Sequence, residues 1–145
     1  MICCFFGHRD APESCYSLLE KTIEELIVNE DADEFYVGTH GNFDAMALRA
    51  LRLLKQRHPS ITYSVVLAYM PIGKETHPKY LPEETIYPDV LEETPYRFAI
   101  TKRNRWMARR CDCAIVYITR RITNGAAAAA EYAARLNKRI INIGR

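Results

Sequence analysis

The sequence predicts an α/β fold in which helices cover both faces of a mainly parallel sheet of about five strands. Short apolar runs alternate along the chain with longer segments of helical periodicity, which is typical of parallel-sheet proteins. The length of 145 residues suits one domain and is too small for two complete cores. We therefore predict a single Rossmann-like three-layer domain over residues 1–145.

The predicted strands are short and rich in apolar or β-branched residues. The first, residues 2–6, is a continuous apolar run that stops at Gly7, which is typical of a strand buried on both faces. The others are residues 34–37, 62–68, 114–118 and 139–143. Each is followed or preceded by a helical segment, so successive strands are expected to be parallel.

Four helices are predicted between these strands, over residues 13–29, 42–58, 96–110 and 125–137. Pro12 suits a first helical turn, Pro59 ends the second helix, and the last helix is dominated by alanine. Residues 70–95 hold most of the prolines and little periodicity, so we predict a long loop there. Long loops in compact domains are more often functional than not.

Composition excludes several protein classes. The net charge of +2 gives no general argument for nucleic-acid binding, although arginines cluster between residues 103 and 121. Five cysteines without a CxxC pair fit neither a disulfide framework nor a zinc site. No apolar run approaches the ~20 residues that span a bilayer, so we expect a cytoplasmic location and no membrane partner. No metal and no cofactor are expected, and the absence of the motif GxGxxG weakens the case for a dinucleotide-dependent dehydrogenase.

Two loops that follow predicted strands carry residues suited to an anionic ligand. After the first strand, Gly7 allows a sharp turn beside His8, and Arg9 offers a planar fork to a phosphate unless it is only a surface residue. After the second strand, Gly38 and Thr39 precede a helix whose N-terminus can bind an anion. Asp44 in its first turn either caps this helix or accepts hydrogen bonds from a ribose.

Two later segments are expected at the same edge of the sheet. Arg103 and Asn104 either reach the site or belong to a solvated basic helix face. Loop residues before the alanine helix are predicted to bind phosphate at its N-terminus. Glu131 lies further along that helix, where a solvent-exposed role is the ordinary alternative. The predicted phosphate-binding residues of this segment are Thr123, Asn124, Gly125 and Ala126.

As a set, these segments resemble the SLOG superfamily of nucleotide-binding proteins and, within it, the small bacterial YpsA-like proteins. The matching features are Gly-His-Arg at 7–9, the small-residue loop with Asp at 38–44, Arg-Asn-x-x-Met at 103–107, and Asn-Gly followed by Glu-Tyr-Ala at 124–133. The family usually has glycine where Asn42 and Asn124 stand. The resemblance implies that a nucleotide, or a derivative such as ADP-ribose, binds at the carboxyl ends of the strands. It also implies a homodimer.

Related LOG phosphoribohydrolases of this superfamily hydrolyse the N-glycosidic bond of nucleoside monophosphates. By position, the resemblance gives Arg103 and Glu131 the catalytic roles, whereas Ala127 and Ala128 replace residues that help hold the phosphate. The DprA branch handles DNA, which keeps single-stranded nucleic acid as a less favoured partner. The sequence thus leaves four functions open. They are a nucleotide-binding or sensing module, an N-glycosidase, a nucleic-acid binder, and a structural or partner-binding protein.

Overall fold

A computed structural model describes residues 1–70, 79–120 and 125–144. Within these ranges the chain forms one sheet of six parallel strands with four α-helices. The strands are β1 (Ile2–Gly7), β2 (Glu34–Val37), β3 (Thr62–Val66), β4 (Thr85–Ile86), β5 (Cys113–Tyr117) and β6 (Arg139–Asn142). The helices are α1 (Tyr16–Glu30), α2 (Asn42–Arg57), α3 (Ala99–Arg110) and α4 (Gly125–Arg135).

The strand order is β4-β3-β2-β1-β5-β6, so the chain builds outward from β1 and then crosses to its other side. Strand order reverses between β1 and β5, which pair in register from Cys3 with Cys113 to Gly7 with Tyr117. Ligands of open α/β sheets bind at such a switch point, beyond the carboxyl ends of the strands. The carboxyl ends of β1 and β5 therefore mark the place to look for a site.

Each face of the sheet is covered by one pair of helices. The two faces of β1 illustrate the alternation of a strand, since Cys3 and Phe5 join the core under α1 and α2. Cys4 and Phe6 join the core under α3 and α4. The three-layer Rossmann-like architecture expected from the sequence is confirmed.

The prediction of five strands was wrong by one strand. Within the segment predicted as a long loop, Thr85 and Ile86 pair with Val65 and Val66 to form the edge strand β4. A two-residue strand carries no readable periodicity, and prolines on either side of it are tolerated only at a sheet edge.

Buried Glu84 fixes β4 to the domain. Its two carboxylate oxygens accept hydrogen bonds from Arg52 Nε and Nη2 at 2.9 and 2.8 Å. One of them also accepts a hydrogen bond from the Tyr63 hydroxyl at 2.7 Å. These contacts tie the segment before β4 to α2 and β3.

Two of the α-helices, α1 and α3, begin later than the sequence predicted. The first and third predicted helices begin with short 3-10 turns, Glu13–Cys15 and Tyr96–Phe98, before the α-helices proper. Pro12 and Pro95 precede these turns, in extended conformation. A proline fixes φ for the chain entering the turn, which sets the direction of the following helix.

Candidate functional site

A cleft of about 410 Å³ lies at the switch point between β1 and β5. It brings together eight residues that the sequence predicted for a site, from all four predicted segments. They are Gly7, His8, Arg9, Asp44, Arg103, Asn104, Gly125 and Ala126. Its volume falls within the range of small-molecule sites, about 300–1,000 Å³. The convergence expected from the sequence therefore occurs within one cleft.

The remaining predicted residues occupy different places. Thr39 is not among the residues that line the cleft, and its hydroxyl accepts a hydrogen bond from Arg103 Nη1 at 3.2 Å. Gly38 lies beside it, so close to Asp44 and Arg103 that a β-carbon would come within 2.8 Å of Asp44 Oδ2. Glu131 is exposed on α4 and is not among the residues that line the cleft. Thr123 and Asn124 lie outside the described residues.

Six of the residues that line the cleft were not among the predicted site residues: Phe5, Phe6, Asp10, His40, Ile100 and Arg120. Asp10 and Arg120 are 110 positions apart in the chain, so only the pairing of β1 with β5 brings them together. His8 follows β1 and His40 lies shortly after β2, so the parallel pairing of these two strands brings both histidines to the cleft. Ile100 lies four residues before Asn104 in a predicted helix, so the two residues share a helix face and Ile100 could have been expected near the site.

Arg103 forms part of the inner side of the cleft, at the carboxyl ends of β2 and β3. Its side chain is almost fully buried, and the residue is only 2% exposed. Its guanidinium donates hydrogen bonds to the Val66 carbonyl at 2.9 Å, to Thr39 and, through Nε, to Asn104 Oδ1 at 2.9 Å. Burial lowers the pKa of Arg103, and the nearby Asp44 carboxylate opposes that shift. Arg103 thus joins the carboxyl ends of β2 and β3 to α3 with most of its donors.

Asp44 is buried in the first turn of α2. Its Oδ2 accepts a hydrogen bond from the His40 amide at 3.0 Å, so the side chain holds the loop that leads into the helix. Burial raises the pKa of this carboxyl to about 6, although Arg103 and the His40 amide favour the ionised form. Asp44 therefore changes charge close to neutral pH, inside the cleft.

His8 links the carboxyl ends of β1 and β5. Its amide donates to the Tyr117 carbonyl at 3.2 Å, and its ring Nε2 accepts from the Thr119 amide at 3.1 Å. A ring nitrogen that accepts a hydrogen bond carries no proton, which fixes the neutral Nδ1–H tautomer. Burial, with Arg120 adding to it, lowers the pKa of His8. The buried, neutral imidazole of His8 thus connects the loop after β1 to the loop after β5.

The outer side of the cleft is formed by exposed charges. Asp10 accepts two hydrogen bonds from Arg120, at 2.8 and 3.0 Å, and this ion pair connects the loops after β1 and β5. Arg9 is exposed beside it. The cleft lining therefore carries three arginines against the two carboxylates of Asp10 and Asp44, a net charge of +1 when both are ionised.

The two helix N-termini at this edge differ in their access to a ligand. At α2, the Asn42 amide donates to the Arg9 carbonyl at 2.8 Å, and Gly41, at φ +95°, lies against the Arg9 backbone. At α4, no atom of the described residues lies within 4 Å of a β-carbon built on Gly125. The first amides of a helix attract anions, and Gly125 and Ala126, the residues that begin α4, line the cleft.

Within the described ranges, no group of three histidine, cysteine or acidic side chains has the arrangement of a metal site. All five cysteines are buried as free thiols. No helix among the described residues is both long and apolar enough to cross a membrane. A scan against protein-family models and a search of curated proteins each found no match.

Proposed function

We propose that this protein binds a nucleotide or phosphorylated nucleotide derivative in the cleft, as a binding or sensing module. The observation that carries the proposal is the position of Gly125 and Ala126, which begin α4, in the lining of a cleft of net positive charge at the switch point of the sheet. A helix N-terminus adds about half a positive charge to that of the side chains. A phosphate group suits these features better than a neutral ligand does.

The parts of such a ligand have separate places in the cleft. Its phosphate lies at Gly125 and Ala126, where Arg9 and Arg120 at the rim add charge. Its ribose hydroxyls lie deeper, near Asn104 and the Asp44 carboxylate, which accepts hydrogen bonds when ionised. The sequence left two roles open for Asp44, capping α2 or binding a ribose. In this arrangement Asp44 has both, because it also accepts a hydrogen bond from the loop before α2.

Binding is favoured over N-glycosidic hydrolysis because of the position of Glu131. Hydrolysis of a glycosidic bond needs a carboxylate beside the developing oxocarbenium ion. Glu131 lies six residues beyond Gly125, about 9 Å along the helix axis, and its side chain is exposed. Of the catalytic pair that the resemblance implies, Arg103 alone lines the cleft.

Substitution of Gly125 tests the proposal at the anion site. Gly125→Asp adds a negative charge where the phosphate is expected, and an acidic residue in a first helical turn is favourable for folding. We expect this variant to fold normally and to bind adenosine monophosphate and ADP-ribose at least tenfold more weakly than the wild type by calorimetry. Gly125→Ala is the matched control and should bind like the wild type. Equal affinity of Gly125→Asp and the wild type would reject the site.

Two further measurements separate binding from hydrolysis. Native mass spectrometry of the purified protein should show a co-purifying mass in the range of a nucleotide. Incubation with nucleoside monophosphates should release no free base, and Glu131→Gln should bind these ligands like the wild type. Release of base that stops in Glu131→Gln would instead establish the hydrolase alternative.

A further inference from the structure

Three aromatic side chains form a strip that leads from the cleft to the protein surface. We call His40, Tyr69 and Tyr96 the aromatic strip. The rings of His40 and Tyr69 meet edge to face, with centroids 6.2 Å apart and an interplanar angle of 77°. Tyr69 and Tyr96 are stacked, with centroids 4.2 Å apart and planes 22° from parallel. His40 lines the cleft, so the strip begins inside the site.

The outer end of the strip is unusually open for a large aromatic ring. Tyr96 is 75% exposed although it stacks on Tyr69, which leaves much of its ring in contact with water. Exposed aromatic surface beside a polar cleft is typical of a ligand contact. A flat, apolar group of a ligand would remove this surface from water.

The strip is held in place by the domain, not by its own stacking alone. The Tyr69 hydroxyl donates a hydrogen bond to the Tyr96 carbonyl at 3.3 Å. Tyr69 also packs against a small core of Ala68, Leu91 and Ala99. A preformed stacking surface loses little conformational entropy when a ligand binds.

Ile100 connects the strip to the rest of the cleft. It lines the cleft and packs against the same small core as Tyr69. It also follows Tyr96 by four residues, where the 3-10 turn Tyr96–Phe98 runs into α3. The strip is therefore connected to the cleft through His40 and Ile100.

We propose that the aromatic strip stacks against the base of the ligand whose phosphate lies at the α4 N-terminus. This inference rests on the proposed nucleotide-binding function and assigns the subsite for the base. Stacking on tyrosine uses the π-face that every base has, so it provides affinity with little selection between bases. The ligand class is thus a base-bearing nucleotide, and a bare sugar phosphate fills only the anion end of the cleft.

Paired titrations of the full chain with adenosine monophosphate and ribose 5-phosphate test the inference. Both ligands carry the same phosphate group, and only the first carries a base. We expect Tyr96→Ala to weaken binding of adenosine monophosphate about tenfold, within the usual effect of one lost stacking contact. Binding of ribose 5-phosphate should not change. The Tyr69 hydroxyl keeps its partner in this variant, since it donates to a backbone carbonyl.

Two variants control for the loss of an exposed aromatic ring. Phe98→Ala removes a half-exposed ring from the same 3-10 turn, and that ring contacts Arg97. It should leave both affinities unchanged, and Tyr96→Phe should keep the affinity for adenosine monophosphate. A Tyr96→Ala variant that binds both ligands like the wild type, or loses both equally, would overturn the base subsite and leave the proposed function standing. A wild type that binds neither ligand would overturn both.

Discussion

The two sides of the cleft use charge in opposite ways. On the inner side, at the ends of β2 and β3, Arg103 is buried and donates to protein acceptors, and Asp44 is buried beside it. On the outer side, Arg9 and Arg120 are exposed, and Gly125 and Ala126 at the start of α4 line the cleft. The inner charges fix the shape of the cleft, whereas the outer charges are accessible to an anion.

This difference separates residues that position a ligand from residues that bind its charge. By position, the resemblance to the LOG phosphoribohydrolases implies a catalytic role for Arg103. The structure shows most of its hydrogen bonds directed to Val66, Thr39 and Asn104. Substitutions on the inner side should therefore affect stability first, and those on the outer side should affect affinity first.

The largest effect is expected at Arg103. Arg103→Ala removes the hydrogen bonds that join β2, β3 and α3, and it leaves Asp44 without its nearby positive charge. Loss of one member of a buried charged pair usually costs about 3–5 kcal/mol. We expect a loss of that size in the free energy of unfolding, measured by urea denaturation at pH 7. Arg105→Ala, on the exposed face of the same helix, should change stability little; similar losses in the two variants would contradict the distinction between the sides.

The next largest effect is expected when the melting temperatures of alanine variants at two glycines of the cleft are compared. A β-carbon at Gly7 would meet the Phe43 ring at 2.2 Å, whereas one at Gly125 meets no described atom. Overpacking of this kind costs about 1–3 kcal/mol. Gly7→Ala should lower the melting temperature clearly, and Gly125→Ala should not. Equal melting temperatures would mean that Phe43 moves aside easily and that the inner side is less tightly packed than the distances indicate.

A smaller effect is expected from two buried carboxyls with opposite pH dependence. Glu84 is bound directly by Arg52, which lowers its pKa to about 2, so its contribution to stability is present above its usual pKa and lost as the pH falls towards 2. Burial raises the pKa of Asp44 to about 6 from its usual 3.8. The folded protein then binds more protons than the unfolded chain between these values, so Asp44 weakens the fold progressively as the pH rises to 6.

Asp44→Asn should remove this pH dependence. The penalty for the ionised carboxylate is full above pH 6 and amounts to about 3 kcal/mol at most. The stability of Asp44→Asn relative to the wild type should therefore increase by about 1–2 kcal/mol between pH 5 and pH 8. Glu84→Gln provides the control, because its stability relative to the wild type should not increase over that range. A constant difference between Asp44→Asn and the wild type would show that the carboxyl titrates at its ordinary pKa.

Elements with a strong local signal could be predicted from the sequence. The apolar run at 2–6 and the helical periodicity after Asn42 were sufficient because burial requires one pattern along a whole strand or helix. The pair Thr85 and Ile86 was missed because two residues cannot display such a pattern. Their pairing depends on Glu84, Arg52 and Tyr63, which are distant in the sequence.

The sequence was sufficient to predict which loops form the site, but not which role each residue has in it. The carboxyl ends of parallel strands meet at one edge, so Arg9, Asp44, Arg103 and Gly125 were expected together. Burial decides that Arg103 supports the cleft, and burial follows from packing that the sequence does not display. The ring contact between Tyr69 and Tyr96 was also missed, because the two residues lie at opposite ends of the segment predicted as a loop.

The smallest effect concerns the ion pair at the mouth of the cleft. Asp10→Asn releases Arg120 from its two hydrogen bonds and raises the net charge of the cleft lining from +1 to +2. We expect severalfold tighter binding of ADP-ribose, with a steeper dependence on salt, because the freed arginine is exposed and screened by ions. The melting temperature should not change measurably, since exposed ion pairs contribute little to stability.

Glu30→Gln is the matched control for this variant. It breaks the exposed ion pair with Arg139 at the amino ends of the strands, away from the cleft, and should leave the affinity for ADP-ribose unchanged. Weaker binding in Asp10→Asn would mean that Asp10 holds Arg120 in the orientation that a phosphate needs. In that case the outer side would also be preorganised, and the two sides of the cleft would differ only in their exposure to water.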